Sequence, residues 1–200
     1  MGQTQGKGSL ARVPPGRNCV RAHGARAAFS MLEIVIAIVV LLVAALGVSK
    51  AILSSGRAEQ MTRESDRATQ AARRVLESIQ AEPFAEAFRR YNSLAADDPG
   101  GAGTAPGANF SVPGLTAAEG DADGLPGEVI FPSVAATPGQ LREDAVDAAL
   151  GTPRDLDGDG VVDAADHAND YLLLPVRVRV RWRSASGTGV AELRTMIANY

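Results

Sequence analysis

Two sets of residues in this sequence have the types and spacing to do chemistry. The first runs from Asp155 to Asp166, where Asp155, Asp157, Asp159, Asp163 and Asp166 fall at positions one, three, five, nine and twelve of a twelve-residue stretch. Gly160 at position six permits a sharp turn, and the Val161 carbonyl at seven can reach inward. Alternate acids in a tight turn converge on one point and repel one another unless a cation lies between them. Ca²⁺, a hard ion taking six to eight oxygens, suits such a donor set. Without a metal, the same Asp-Gly pairs make ordinary solvated turns. The second set is a single acid, Glu33, five residues into an apolar segment that carries no other charge until Lys50. Translocon scales put the cost of a carboxylate at the centre of such a segment at about 2.5–3.5 kcal/mol. A charge held there needs a partner, and a cut between Ala28 and Phe29 would create one, an α-ammonium one helical turn away.

The order Ala28, Phe29, Ser30, Met31, Leu32, Glu33 behind a basic leader resembles the type IV prepilin signal. The family usually has Gly where this chain has Ala28. The resemblance implies cleavage after Ala28 by a prepilin peptidase, N-methylation of Phe29 by the same peptidase/methyltransferase, and storage in the inner membrane. It further implies assembly with other pilins or pseudopilins through the N-terminal helix, Glu33 meeting the N-terminus of a neighbouring subunit. The acidic stretch resembles an EF-hand loop, except that Asp166 stands where Glu is usual. Asp there is similar to dockerin loops, but this chain has one convincing copy rather than two. The run 119–124 matches only the first half of the pattern, and it reads as an acidic turn.

Elements must hold both sets in place. Residues 29–49 would make about 30 Å of helix, enough to cross a bilayer core. The helical pattern continues through Met61, Ala68, Ala72, Val75 and Ile79, which trace one face, and should stop before Pro83. Gly47 and Gly56 are candidate bends. Phe84, Phe88 and Tyr91 share one face of a short second helix. Residues 92–154 are rich in Ala, Gly and Pro and read as irregular, with short strand candidates at 109–112 and 128–131 and a helical turn or two at 140–150. The clearest strand is 175–183, where Val176, Val178, Val180 and Trp182 alternate with four arginines; 184–189 turns and 190–197 returns. The arginine face reads as a solvated surface balancing acidic neighbours. The expected fold is α+β: a long N-terminal helix, transmembrane then amphipathic, packed on a small C-terminal antiparallel sheet, as in pilins. The divisions are a cleaved leader at 1–28, a transmembrane segment at 29–49, helix to 91, the irregular region, the loop at 155–166 and the hairpin at 171–200.

Charge and composition narrow the function classes. The 200-residue chain has 20 basic and 23 acidic side chains. Five of the basic ones lie in the leader, so residues 29–200 keep 15 against 23 and carry −8. Such a chain is ill suited to binding nucleic acid through phosphates. The basic leader places the residues after Lys50 outside the cytoplasm, in the periplasm or beyond. The only cysteine, Cys19, lies in the leader, so a chain starting at Phe29 has no disulfide to staple its loops. We expect Ca²⁺ to take over that role. His23 leaves with the leader, and His167 has no nucleophile arranged around it, so no enzymatic activity is expected. A pilus subunit and a type II secretion pseudopilus subunit fit the sequence equally. A membrane-anchored or secreted calcium-dependent binding module, outside any filament, is the alternative.

Overall fold

The computed structural model describes residues 30–199. Ala28, Phe29, the leader and Tyr200 lie outside the described residues. Contacts divide the chain into two units, Met1–Val48 and Ser49–Tyr200.

One helix, α1 (Met31–Ala81), runs through both units. It passes through Gly47 and Gly56, and it ends two residues before Pro83. Ser30 supplies the N-cap: its Oγ accepts the Glu33 N–H at 3.0–3.1 Å alongside its own carbonyl. Ser-Met-Leu-Glu is therefore a capping-box sequence as well. From Met31 to Leu53 the large apolar side chains are exposed all round. This part of the helix is long and apolar enough to cross a membrane.

The second unit holds the core. Ala68, Ala72 and Ile79 are buried as their spacing requires, with Val75 half-buried, while Met61 lies at the exposed end of the stripe. They face a four-stranded antiparallel meander of β1 (Asn109–Phe110), β2 (Gly127–Ile130), β3 (Leu173–Ser184) and β4 (Gly187–Ala198), in that spatial order. Leu174, Val176, Val178, Val180 and Trp182 of β3 are buried against the helix and α2 (Phe84–Tyr91). Both long strands extend past the expected limits, because the hairpin closes through the two residues between Ser184 and Gly187. At two places an aromatic ring lies over a glycine. A Cβ on Gly189 would stand 2.3 Å from the Trp182 ring, and one on Gly127 would stand 2.2 Å from that of Phe110. Both positions exclude any side chain.

On the arginine face of β3, Arg177, Arg179 and Arg183 have acidic neighbours. Arg177 meets Asp147 at 2.8 Å and Arg179 meets Glu128 at 2.6 Å, and Arg183 lies 3.8 Å from Glu119. Within 140–150 a hydrogen-bonded turn forms at 147–150, where Leu150 donates to the Asp147 carbonyl at 3.1 Å. Ahead of it, 140–146 run largely extended with a bend at Glu143 and Asp144, and Leu141, Glu143 and Ala145 are buried in alternation. No helix forms ahead of the turn because those backbone groups are engaged elsewhere: the Arg142 N–H donates to the Pro132 carbonyl, the Asp144 N–H donates to the Asp163 carbonyl and the Leu141 carbonyl accepts from His167.

An unexpected clamp joins α1 to β3. Buried Glu64 accepts hydrogen bonds from Ser184 Oγ at 2.6 Å, Gln60 Nε2 at 2.9 Å and Trp182 Nε1 at 3.2 Å. The Ser184 hydroxyl, then the Gln60 amide, hold its carboxyl below the ordinary range, against the opposing effect of burial. A carboxyl depressed on folding contributes stability above its unfolded pKa and loses it as pH falls through the folded value. Glu64→Gln should therefore melt below the parent at neutral pH, with the gap closing as pH drops below about 4, in a thermal melt followed by Trp182 fluorescence. A gap independent of pH would rule out the carboxylate as its source.

Candidate functional site

The acidic loop is built around a residue that lies outside it. Glu143, fully buried, accepts the backbone N–H groups of Leu156, Asp157 at 3.3 Å and Asp163 at 3.1 Å. Leu156 is the second anchor. Its side chain lies in the core, and its carbonyl accepts from Leu172 at 2.7 Å and Leu173 at 2.9 Å, tying the loop to the start of β3.

Within the loop each acid organises a turn. Asp155 accepts from Gly158 at 2.6 Å and Gly160 at 2.9 Å, and these two N–H groups hold its carboxyl below the usual range. Asp157 Oδ1 accepts from Asp159, and Asp159 Oδ1 accepts from Val161. Asp163 Oδ1 accepts from Ala165, the main cause of its own depressed pKa, with His167 adding to it. Asp166 is turned elsewhere: its Oδ1 accepts from Leu141 at 3.0 Å and Ala168 at 3.1 Å. The position-twelve carboxylate thus stitches the loop's end to the extended segment carrying Glu143.

Three sets of side chains among the described residues bring ligand atoms within 4.8 Å of one another: Glu143, Asp155 and Asp157; Glu143, Asp163 and His167; and Asp157, His167 and Asp170. These groups, buried at Glu143 and His167, half-buried at Asp155 and Asp157 and exposed at Asp163 and Asp170, could hold a metal ion. Asp155, Asp157 and Asp163 of the expected ligands take part, while Asp159, Val161 and Asp166 belong to none of the three sets.

His167 lies between two pairs of carboxylates. Its Nε2 is 3.2 Å from Asp163 Oδ1 and 3.8 Å from Glu143 Oε2, and its Nδ1 is 3.3 Å from Asp170 Oδ1 and 3.6 Å from Asp157 Oδ2. Burial works against its protonation, but the Asp163 hydrogen bond and the charges of Glu143, Asp170 and Asp157 outweigh it, and the pKa is raised.

No known protein family, curated protein or solved structure matches this chain. The site's chemistry therefore rests on its own residues. Fitness for Ca²⁺ turns on the oxygens. The Glu143, Asp155 and Asp157 set is made of carboxylates alone, as a hard ion requires. The two sets that include His167 bring in a nitrogen.

Glu33 stands in the other unit, exposed in the first turn of α1. Its local partner is the Ser30 cap, and a negative charge there also suits the helix dipole. Phe29, whose amino group is expected to face it, lies outside the described residues.

Proposed function

We propose that this chain is a minor pilin or pseudopilin-like subunit, processed after Ala28 and assembled into a type IV pilus or a type II secretion pseudopilus. The observation that carries the reading is a single helix whose first part is apolar and exposed on every side and whose last part is packed on an antiparallel sheet. No described residue of this chain buries the first part, so lipid and like helices are its natural surroundings. Glu33 is the one acid in that apolar surface, and a neighbour's Phe29 ammonium would neutralise it in the packing seam. The inner membrane holds the subunit before assembly, with residues after Lys50 on the far side.

The loop takes Ca²⁺ in this reading. Asp155, Asp157, Asp159, the Val161 carbonyl and Asp163 supply oxygens, with Glu143 joining from the extended segment. Asp166 would reach the ion only by releasing Oδ1 from Leu141 and Ala168, so its role is to close the loop. The ion screens the mutual repulsion of these carboxylates where a disulfide would otherwise fix the chain.

Fractionation tests the reading. Filaments sheared from cells, or pseudopili raised by overexpressing the secretion system, should contain the chain in its shortened form. Recovery from membranes alone, under conditions where the other subunits form filaments, would favour an anchored calcium-binding module instead.

A further inference from the structure

The imidazole of His167 has one nitrogen that the fold leaves without a partner. The side chain is 6% exposed, and Nδ1 is a buried atom with no hydrogen bond. It nevertheless faces two carboxylate oxygens, Asp170 Oδ1 and Asp157 Oδ2, at 3.3 and 3.6 Å. Asp157 uses its other oxygen on the Asp159 N–H, so Oδ2 is the one presented to the ring. On the opposite edge, Nε2 is 3.2 Å from Asp163 Oδ1, within hydrogen-bonding distance. When Nε2–H is donated to a carboxylate and Nδ1 carries no proton, the ring is a neutral imidazole whose Nδ1 lone pair is free to ligate; a bound dication then takes the place of the second ring proton. This is the carboxylate–histidine relation that fixes the tautomer of metal-bound histidines. A lone pair aimed between two carboxylates is repulsive unless a positive charge, a second ring proton or a metal ion, lies among them.

We propose that Asp157, His167 and Asp170 form a second cation site, for a transition dication of the Zn²⁺ class, with Nδ1 of His167 as its nitrogen ligand. The two nitrogen–oxygen distances agree. A tetrahedral ion with bonds of about 2.0–2.2 Å sets its ligand atoms roughly 3.3–3.6 Å apart. One imidazole with two carboxylates suits Zn²⁺ and its relatives, whereas Ca²⁺ takes oxygens. Asp170 is 61% exposed, which gives the ion a path in and leaves its fourth position to water. Asp157 belongs both to this site and to the oxygen set with Glu143 and Asp155, so its carboxylate bridges the two. The site depends on neither the filament reading nor cleavage of the leader.

Co²⁺, which reports tetrahedral nitrogen–oxygen ligation by its visible absorption, is the probe. The full chain in detergent is titrated, with Cys19→Ser and His23→Asn in the background so that no other soft ligand competes. The expected result is one Co²⁺ per chain with a visible band, displaced by Zn²⁺ and retained in saturating Ca²⁺. His167→Gln should abolish the band. Asp170→Asn, a change at an exposed side chain that spares the fold, should weaken Co²⁺ binding at least tenfold while leaving the heat of Ca²⁺ binding unchanged. A band absent from the parent, unaltered by Asp170→Asn, or removed by Ca²⁺ would each overturn the assignment. Loss of the Ca²⁺ heat alone would count against the loop's calcium and leave this site standing.

Discussion

Glu33→Lys should lower incorporation into filaments at least tenfold while membrane insertion stays at the parent level. Insertion survives because a lysine near the end of an apolar helix can extend its ammonium to the interface, on the side where positive charge already lies. In the proposed filament, assembly fails because the substitution would set an ammonium against the ammonium of a neighbour's Phe29, where the parent would offer a compensating carboxylate. The Ser30 cap supplies a competing explanation, since Glu33 also belongs to the first turn of α1. Loss of a favourable charge there is worth about 0.3–1 kcal/mol, too little for a tenfold defect. Glu33→Gln separates the two roles. Glutamine serves a capping box as well as glutamate does, but it carries no charge. It should assemble poorly, though better than lysine. Normal assembly of the glutamine variant would remove the charge from the account, and normal assembly of the lysine variant would remove Glu33 altogether.

The largest stability effect is expected at Glu143. Replacement by alanine takes the acceptor from three backbone N–H groups, one of them on the fully buried Leu156. A buried donor left without a partner costs about 1–3 kcal/mol, and the other two N–H groups can regain part of their loss from water. Removing one of several neighbouring carboxylates relieves some repulsion. The net loss should be about 3 kcal/mol, a fall in melting temperature of roughly 6–12 °C for a unit of this size. Trp182, the only tryptophan, is buried in the core and reports the melt. Glu143→Gln keeps a carbonyl for Leu156 and Asp157 but turns an amide toward the Asp163 N–H, so it should fall between parent and alanine. If the alanine variant melts with the parent, Glu143 does not hold the loop.

These two acids show what the sequence makes legible and what it does not. The alternation through Val176, Val178, Val180 and Trp182 declares a strand with one dry face, because each residue's side is set by its nearest neighbours. Ala68, Ala72 and Ile79 declare a helix face for the same reason. Glu143 declares nothing by itself. Its role depends on amides 13, 14 and 20 residues away. One signal is present: it lies between Leu141 and Ala145 at strand spacing, an acid in a buried alternation. Glu64 carries a similar trace. It falls three residues after Met61 and four before Ala68, on the apolar face of the helix, where a carboxylate needs partners from another element. At Asp166 the spacing alone is ambiguous, since an aspartate can ligate an ion or accept backbone N–H groups. The extended segment beside it supplies the amide that engages it. Of the helical turns expected at 140–150 one turn forms, at 147–150, while at 141–144 tertiary hydrogen bonds outweigh local ones.

The central claim is that Glu33 waits for an amine made by cutting the chain after Ala28. Intact mass and N-terminal sequencing of the protein isolated from cells test it directly. The account predicts a chain beginning at Phe29 and bearing one N-methyl group. A chain that keeps its first twenty-eight residues, or that begins near Lys50, would contradict it.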